Sequence, residues 1–96
     1  MFVNISVHRV RPGKEELMID SMRRYGRAAQ DAGVQRVHTL KDEDSGALIG
    51  LAIWDSKEAY EEAGPALMKA VEGDDFADWH EEPSTSYHCV EITGAA

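Results

Sequence analysis

The feature that most restricts the fold of this chain is its hydrophobic period, which changes four times within 96 residues. From Phe2 to Val10, the apolar Val3, Ile5 and Val7 alternate with Asn4, Ser6 and His8. That two-residue period predicts a strand with one apolar and one polar face. After Pro12-Gly13 the period lengthens. Met18, Met22, Tyr25, Ala29 and Ala32 line up as the stripe of a helix, with Glu15 and Glu16 in its first turn, where acids complement the dipole. Gly33 supplies a residue able to take the left-handed conformation at the helix end. From Val34 to Lys41 and from Ala47 to Trp54 the strand pattern returns around the polar turn Asp42-Glu43-Asp44-Ser45-Gly46, which predicts a hairpin. Asp55 and Glu58 have the spacing of a capping box, so a second helix is predicted to open there and carry Ala59, Tyr60 and Ala63 inward. Proline inside a helix costs about 3 kcal/mol, which predicts a kink or break at Gly64-Pro65 and a further piece through Leu67, Met68 and Val71. A short helix over 74–80 should turn Phe76 and Trp79 or His80 inward. A last strand is predicted from Ser86 to Thr93.

The order strand, helix, hairpin, broken helix, strand is that of an α+β ferredoxin-like βαββαβ domain. Residues 1–93 make a single domain, with 94–96 a short tail. Its four-stranded antiparallel sheet should run 4-1-3-2 in space, with both helices on one face and the other face bare. A bare face carrying apolar residues would be a patch of about several hundred Å², which a soluble monomer seldom tolerates. A second copy packed sheet on sheet is the simplest cover, and a chain this short gains most from a partner because it buries little surface alone.

The formal charge of −8, from eighteen acids against ten bases, repels phosphate backbones and anionic headgroups and argues against nucleic acid or membrane partners. The opening residues alternate and do not form a secretion signal, no stretch is long enough to span a bilayer, and the lone Cys89 precludes an internal disulfide. The cytoplasm is the expected location. Cys89 is expected to be a small buried hydrophobe.

The opening MFVNISVHRVRPG, the junction IWDSKEAYEE and the later DDFADWH resemble the antibiotic biosynthesis monooxygenase family of the dimeric α/β barrel superfamily. These pieces are patterns of strand, cap and helix, and together they span most of the chain. The resemblance implies a homodimer with one pocket per subunit between sheet and helices. It also implies a cofactor-independent monooxygenase acting on a small aromatic or polyketide-like metabolite. A related branch binds and degrades haem with an asparagine, a tryptophan and a histidine. Here His80 matches the histidine, Ser6 falls at the asparagine with Asn4 two residues away, and Ala63 falls near the tryptophan. The alternative function is therefore a non-catalytic dimeric module that binds a small molecule or haem.

Histidine titrates near neutral pH, and the chain has His8, His38, His80 and His88. His80, on the family pattern, and His8 are the candidate catalytic bases. His8 and His88, on neighbouring antiparallel strands, are expected to lie level as a cross-strand pair. Asn4 and Ser6 share the polar strand face with His8 and would orient a substrate or donate to its anion. With His88, the aromatic Trp54, Tyr60, Phe76 and Trp79 are candidates for the substrate-binding walls. No His-x-His, His-x-x-x-His or Cys-x-x-Cys spacing occurs, so no metal is expected.

Overall fold

In a computed structural model, which describes residues 1–94, the elements are β1 (Phe2–His8), α1 (Glu15–Asp31), β2 (Arg36–Lys41), β3 (Leu48–Trp54), α2 (Lys57–Ala70), α3 (Phe76–Trp79) and β4 (Thr85–Val90). The sheet is antiparallel in the order β2-β3-β1-β4, as the element order demands. Residues 95 and 96 of the expected tail lie outside the described residues.

The local chemistry explains the element ends. Gly33, at φ 92°, closes α1: its N–H donates to the Gln30 carbonyl and the Val34 N–H reaches back to Ala29, the paired bonds of a Schellman motif. The β2–β3 turn is held by Asp42, whose carboxylate accepts from the backbone N–H of Ser45 at 3.0 Å and from its hydroxyl. At the start of α2 the cap is Ser56, which accepts from the Ala59 N–H at 3.1 Å. The expected Asp55–Glu58 box does not form: the cap sits one residue later, and Asp55 instead accepts from the Gln35 side-chain amide. The expected break at Gly64-Pro65 does not occur: α2 continues through Pro65 to Ala70. Gly64 has no Cβ to crowd the proline ring. Glu61, whose carbonyl loses its donor to the proline, is exposed.

The core lies between the helices and one face of the sheet. Phe2, Ala52 and Trp54 from the sheet pack on Ala29 of α1 and on Ala63 and Leu67 of α2. A second cluster gathers Met18, Met22, Leu48 and Trp79. Since side chains alternate along a strand, the residues of β1 that face the helices are Phe2, Asn4, Ser6 and His8. Val3, Ile5 and Val7 face the other way, level with Ile53, Leu51 and Ile49 of β3. This second face carries no helix. It extends to Leu40 on β2 and Tyr87 and Cys89 on β4, with Leu40 and Tyr87 about half exposed at 46% and 52%. Cys89 is exposed and not buried as expected, because its strand lies at the sheet edge with its side chain on the uncovered face.

Candidate active site

Putting the polar face of β1 beneath the helices has a direct consequence. Three polar side chains in a row cannot fill an apolar core without partners, and between Phe2 and His8 the core gives way to a cavity of about 350 Å³. Asn4, Ser6 and His8 form part of its floor, with Gly50 and Ala52 of β3 and Ser86 and His88 of β4 beside them. Met18, Met22 and Tyr25 of α1, Tyr60 and Leu67 of α2, and Phe76 supply its walls. Helical spacing thus provides an apolar shell, and strand alternation provides the polar groups.

The polar groups are connected in series. The chain just past β1 pairs with the chain just past α3: the Arg11 N–H donates to the Trp79 carbonyl at 2.8 Å, the Glu81 N–H donates to Arg9 at 2.9 Å, and Val10 bridges His80. This clasp brings the imidazole of His80, 6% exposed, against that of His8. His8 Nδ1 and His80 Nε2 are 2.8 Å apart, His8 Nε2 and Ser6 Oγ 2.9 Å, and His80 Nδ1 and the Phe76 carbonyl 2.7 Å. A carbonyl can only accept, so His80 Nδ1 carries a hydrogen. With both rings neutral, His80 Nε2 then accepts from His8 Nδ1–H, and His8 Nε2 holds a lone pair that accepts from the Ser6 hydroxyl. The basic nitrogen is thereby directed toward the cavity floor.

Burial, reinforced by repulsion from His80, lowers the pKa of His8 from 6.5 to about 4. His8 is therefore neutral, and available as a base, at any pH near neutrality. Burial also pushes Tyr25 up to about 12, with Tyr60 adding to the effect, so the Tyr25 hydroxyl stays protonated in the wall. The low pKa of His8 has a stability consequence whose sign is definite. An unfolded His8 takes up its proton near pH 6.5 and the folded one only near 4, so between those values acid favours the unfolded chain. The stabilisation is complete above about pH 6.5 and is lost as the pH falls to about 4. Because the ring remains partly solvated, the loss should be about 1–2 kcal/mol. Urea midpoints at pH 7 and pH 4.5 should show it in the wild type, with a smaller difference in His8→Gln. Equal differences in the two chains would contradict this reading of His8.

The remaining sequence candidates separate into those at the cavity and those away from it. Tyr60, Phe76, Asn4, Ser6 and His88 line it. Trp54 does not: it is fully buried in the core, edge-on to Tyr60 at 6.0 Å between ring centroids. Trp79 is likewise core, perpendicular to Phe76 and packed with Met18 and Leu48. Both lie at the ends of their elements, Trp54 closing β3 and Trp79 closing α3, and both are taken up by the core clusters. The expected His8–His88 pair is not formed. The β1–β4 register pairs His88 with Asn4 and ends at Val7 with Thr85, so His88 instead lies near Phe2 and Tyr60, at centroid distances of 5.8 and 5.4 Å. His80 is near the cavity but reaches it through His8.

Gly50 and Ser86, which also line the cavity, belong to none of the sequence motifs above. A Cβ on Gly50 would stand 2.7 Å from Ser6 Oγ, so the glycine opens the space that the serine hydroxyl occupies. An isolated glycine within the apolar run ALIGLAIW was the available sign. Elsewhere, Arg24 of α1 donates to both Asp74 carboxylate oxygens at 3.0 Å and to the Ala70 carbonyl at 2.8 Å, and Ser21 donates to Asp74 at 2.6 Å. These bonds hold the end of α2 over the cavity. Among the described residues no group of three or more His, Cys, Asp or Glu side chains is placed to hold a metal ion, and no helix is long and apolar enough to cross a membrane.

No family model matches the chain, and no curated protein matches it. Solved structures do. Rv0793 from Mycobacterium tuberculosis superposes with a TM-score of 0.83 at 12% identity, covering 99% of this chain and 98% of that one. A structure named antibiotic biosynthesis monooxygenase gives 0.78 at 11% identity, over 97% and 100%. The "Putative antibiotic biosynthesis monooxygenase from Nitrosomonas europaea" gives 0.74 at 17%, over 97% and 100%. At such identities the likeness is one of fold, and this chain has the ferredoxin-like βαββαβ fold of proteins named antibiotic biosynthesis monooxygenases.

Proposed function

We propose that the protein is a cofactor-independent monooxygenase that removes a proton from a small aromatic or polyketide-like substrate held in the cavity, leaving an electron-rich anion to react with oxygen. The observation that carries this reading is the neutral His8, whose basic Nε2 is directed by His80 to the floor of a cavity walled by Tyr25, Tyr60 and Phe76. Flat apolar walls suit an aromatic ring. A base with a low pKa suits an acidic phenol or enol better than an unactivated C–H. Asn4 and His88 are placed to hydrogen-bond the substrate oxygen that gains charge. The working unit is a homodimer joined through the uncovered sheet face.

The histidine that the resemblance assigns to haem fits iron poorly. His80, which matches the haem-degrading pattern, has Nδ1 engaged with the Phe76 carbonyl and Nε2 with His8, which leaves no free lone pair for iron.

Oxygen consumption tests the proposal. With a panel of electron-rich phenols, the purified wild type should consume oxygen, and His8→Ala should reduce the rate by about 100-fold, the usual worth of a positioned base. No consumption on any member of the panel would sink the oxygenase and leave the binding module. Titration with haem, followed by visible spectra, would then test the haem form of that alternative.

A further inference from the structure

We infer that Ser6 is an activated nucleophile and that the same cavity hydrolyses small carboxylic esters through an acyl-serine intermediate. This goes beyond the oxygenase reading and does not need it to be correct.

The series Ser6, His8, His80 and the Phe76 carbonyl has the roles of a nucleophile, a general base and an orienting acceptor. Such a series is diagnostic when each member is within hydrogen-bond reach of the next. Here the three separations are 2.9, 2.8 and 2.7 Å. His80 acts on the reaction through His8, as a positioning residue: with Nδ1–H committed to a carbonyl, its Nε2 accepts from His8 and keeps the lone pair of His8 on the side of the serine. The hydroxyl borders the cavity, so an acyl group can approach it. Gly50, directly across on β3, has no side chain to shield the Oγ. On the other flank Ser86 is the cross-strand neighbour of Ser6, and Asn4 lies two residues along the same face. Their O–H and N–H groups are the donors available to a developing oxyanion.

The chemistry balances without a redox partner. Ser6 Oγ bonds to the ester carbonyl carbon as its proton passes to His8 Nε2. The bond from that carbon to the leaving oxygen breaks, and the departing alkoxide or phenoxide takes the proton from His8. Water then attacks the acyl carbon, gives its proton to His8, and the carboxylic acid leaves as Ser6 Oγ recovers the hydrogen. The cavity volume limits the acyl and leaving groups to small ones.

The test uses p-nitrophenyl acetate and butyrate as substrates and a fluorophosphonate as the trapping probe. Peptide mapping of the labelled wild-type protein should place the phosphonyl group on Ser6, a readout that no variant's folding can confuse. Ser6→Ala and His8→Ala should each reduce ester hydrolysis by about 100-fold. Gly50→Ala, which pushes the hydroxyl off His8, should reduce it by about 10-fold. Imidazole nitrogen chemical shifts should report His8 as the Nδ1–H tautomer in the wild type, and His80→Phe should lose that signature. Labelling at any residue other than Ser6, hydrolysis undiminished in Ser6→Ala, or His8 in the Nε2–H tautomer would each overturn the inference. Oxygen uptake is read separately, so failure of one reaction leaves the other standing.

Discussion

Trp54→Ala is expected to lose about 3–5 kcal/mol of folding stability, most of what a domain of this size holds. Trp54 is fully excluded from solvent and touches both helices' contributions to the core, with Phe2, Ala29, Ala63 and Leu67 in its cluster. Removing the indole leaves a void that the short, backbone-paired β3 cannot collapse to fill. Trp54→Phe separates packing from polarity. The indole Nε1 is buried with no hydrogen-bond partner among the described residues, so phenylalanine gives up volume but also removes an unsatisfied donor, whose burial costs about 1–3 kcal/mol. The phenylalanine variant should therefore cost at most about half as much as alanine. Urea denaturation, with all chains at one protein concentration because association adds to stability, would measure both. A Trp54→Ala chain within 1 kcal/mol of the wild type would show that the core does not centre on this residue.

Ile5→Asp should convert the proposed dimer into single chains. Ile5 is central to the uncovered face, between Leu51 of β3 and Tyr87 of β4. Val3, Val7, Ile49, Ile53 and Leu40 complete an apolar surface that the helices leave open. The strand positions of this face include no aspartate or glutamate, although the chain carries eighteen. Its polar members are Arg36, His38 and Thr85. Acids are concentrated elsewhere, so two copies can meet here despite a net charge of −8 on each. A carboxylate at the centre would be buried among apolar side chains in the assembly, yet would face water in the single chain. Sedimentation at low micromolar concentration should show the wild type at twice the chain mass and Ile5→Asp at the chain mass, association being weakened by about 100-fold or more. Wild-type protein already at the chain mass would remove the dimer from the proposal.

Much of the architecture was legible from periodicity, because burial of one face imposes a period of two on a strand and near 3.6 on a helix. That reasoning placed all four strands and both long helices and led to the observed strand order. Proline misled it. The penalty for Pro65 is real, but α2 carries it where Gly64 relieves the crowding and exposed backbone can turn to water. The cap of α2 moved by one residue because Ser56 and Asp55 are both competent cap formers and a contact to Gln35 engaged Asp55. Such competition between neighbours is decided by tertiary partners.

For the site, strand alternation alone established that Asn4, Ser6 and His8 share a face, since that follows from the pleat whatever surrounds it. Which imidazole meets His8 was a question of register. Adjacent strands suggested His88, eighty residues along the chain, but the clasp of residues 9–11 onto 79–81 brings His80 to it and leaves His88 opposite Asn4. Likewise Trp54 and Trp79 have the composition of a pocket wall, and their inward directions make them core. The sequence by itself therefore determined the layers and the two faces of β1, properties of local period. The tertiary structure alone decided that the polar face lies under the helices, that Gly50 makes room for Ser6, and that two histidines 72 residues apart share a hydrogen bond. Distances across the fold depend on register and closure, and no local pattern encodes them.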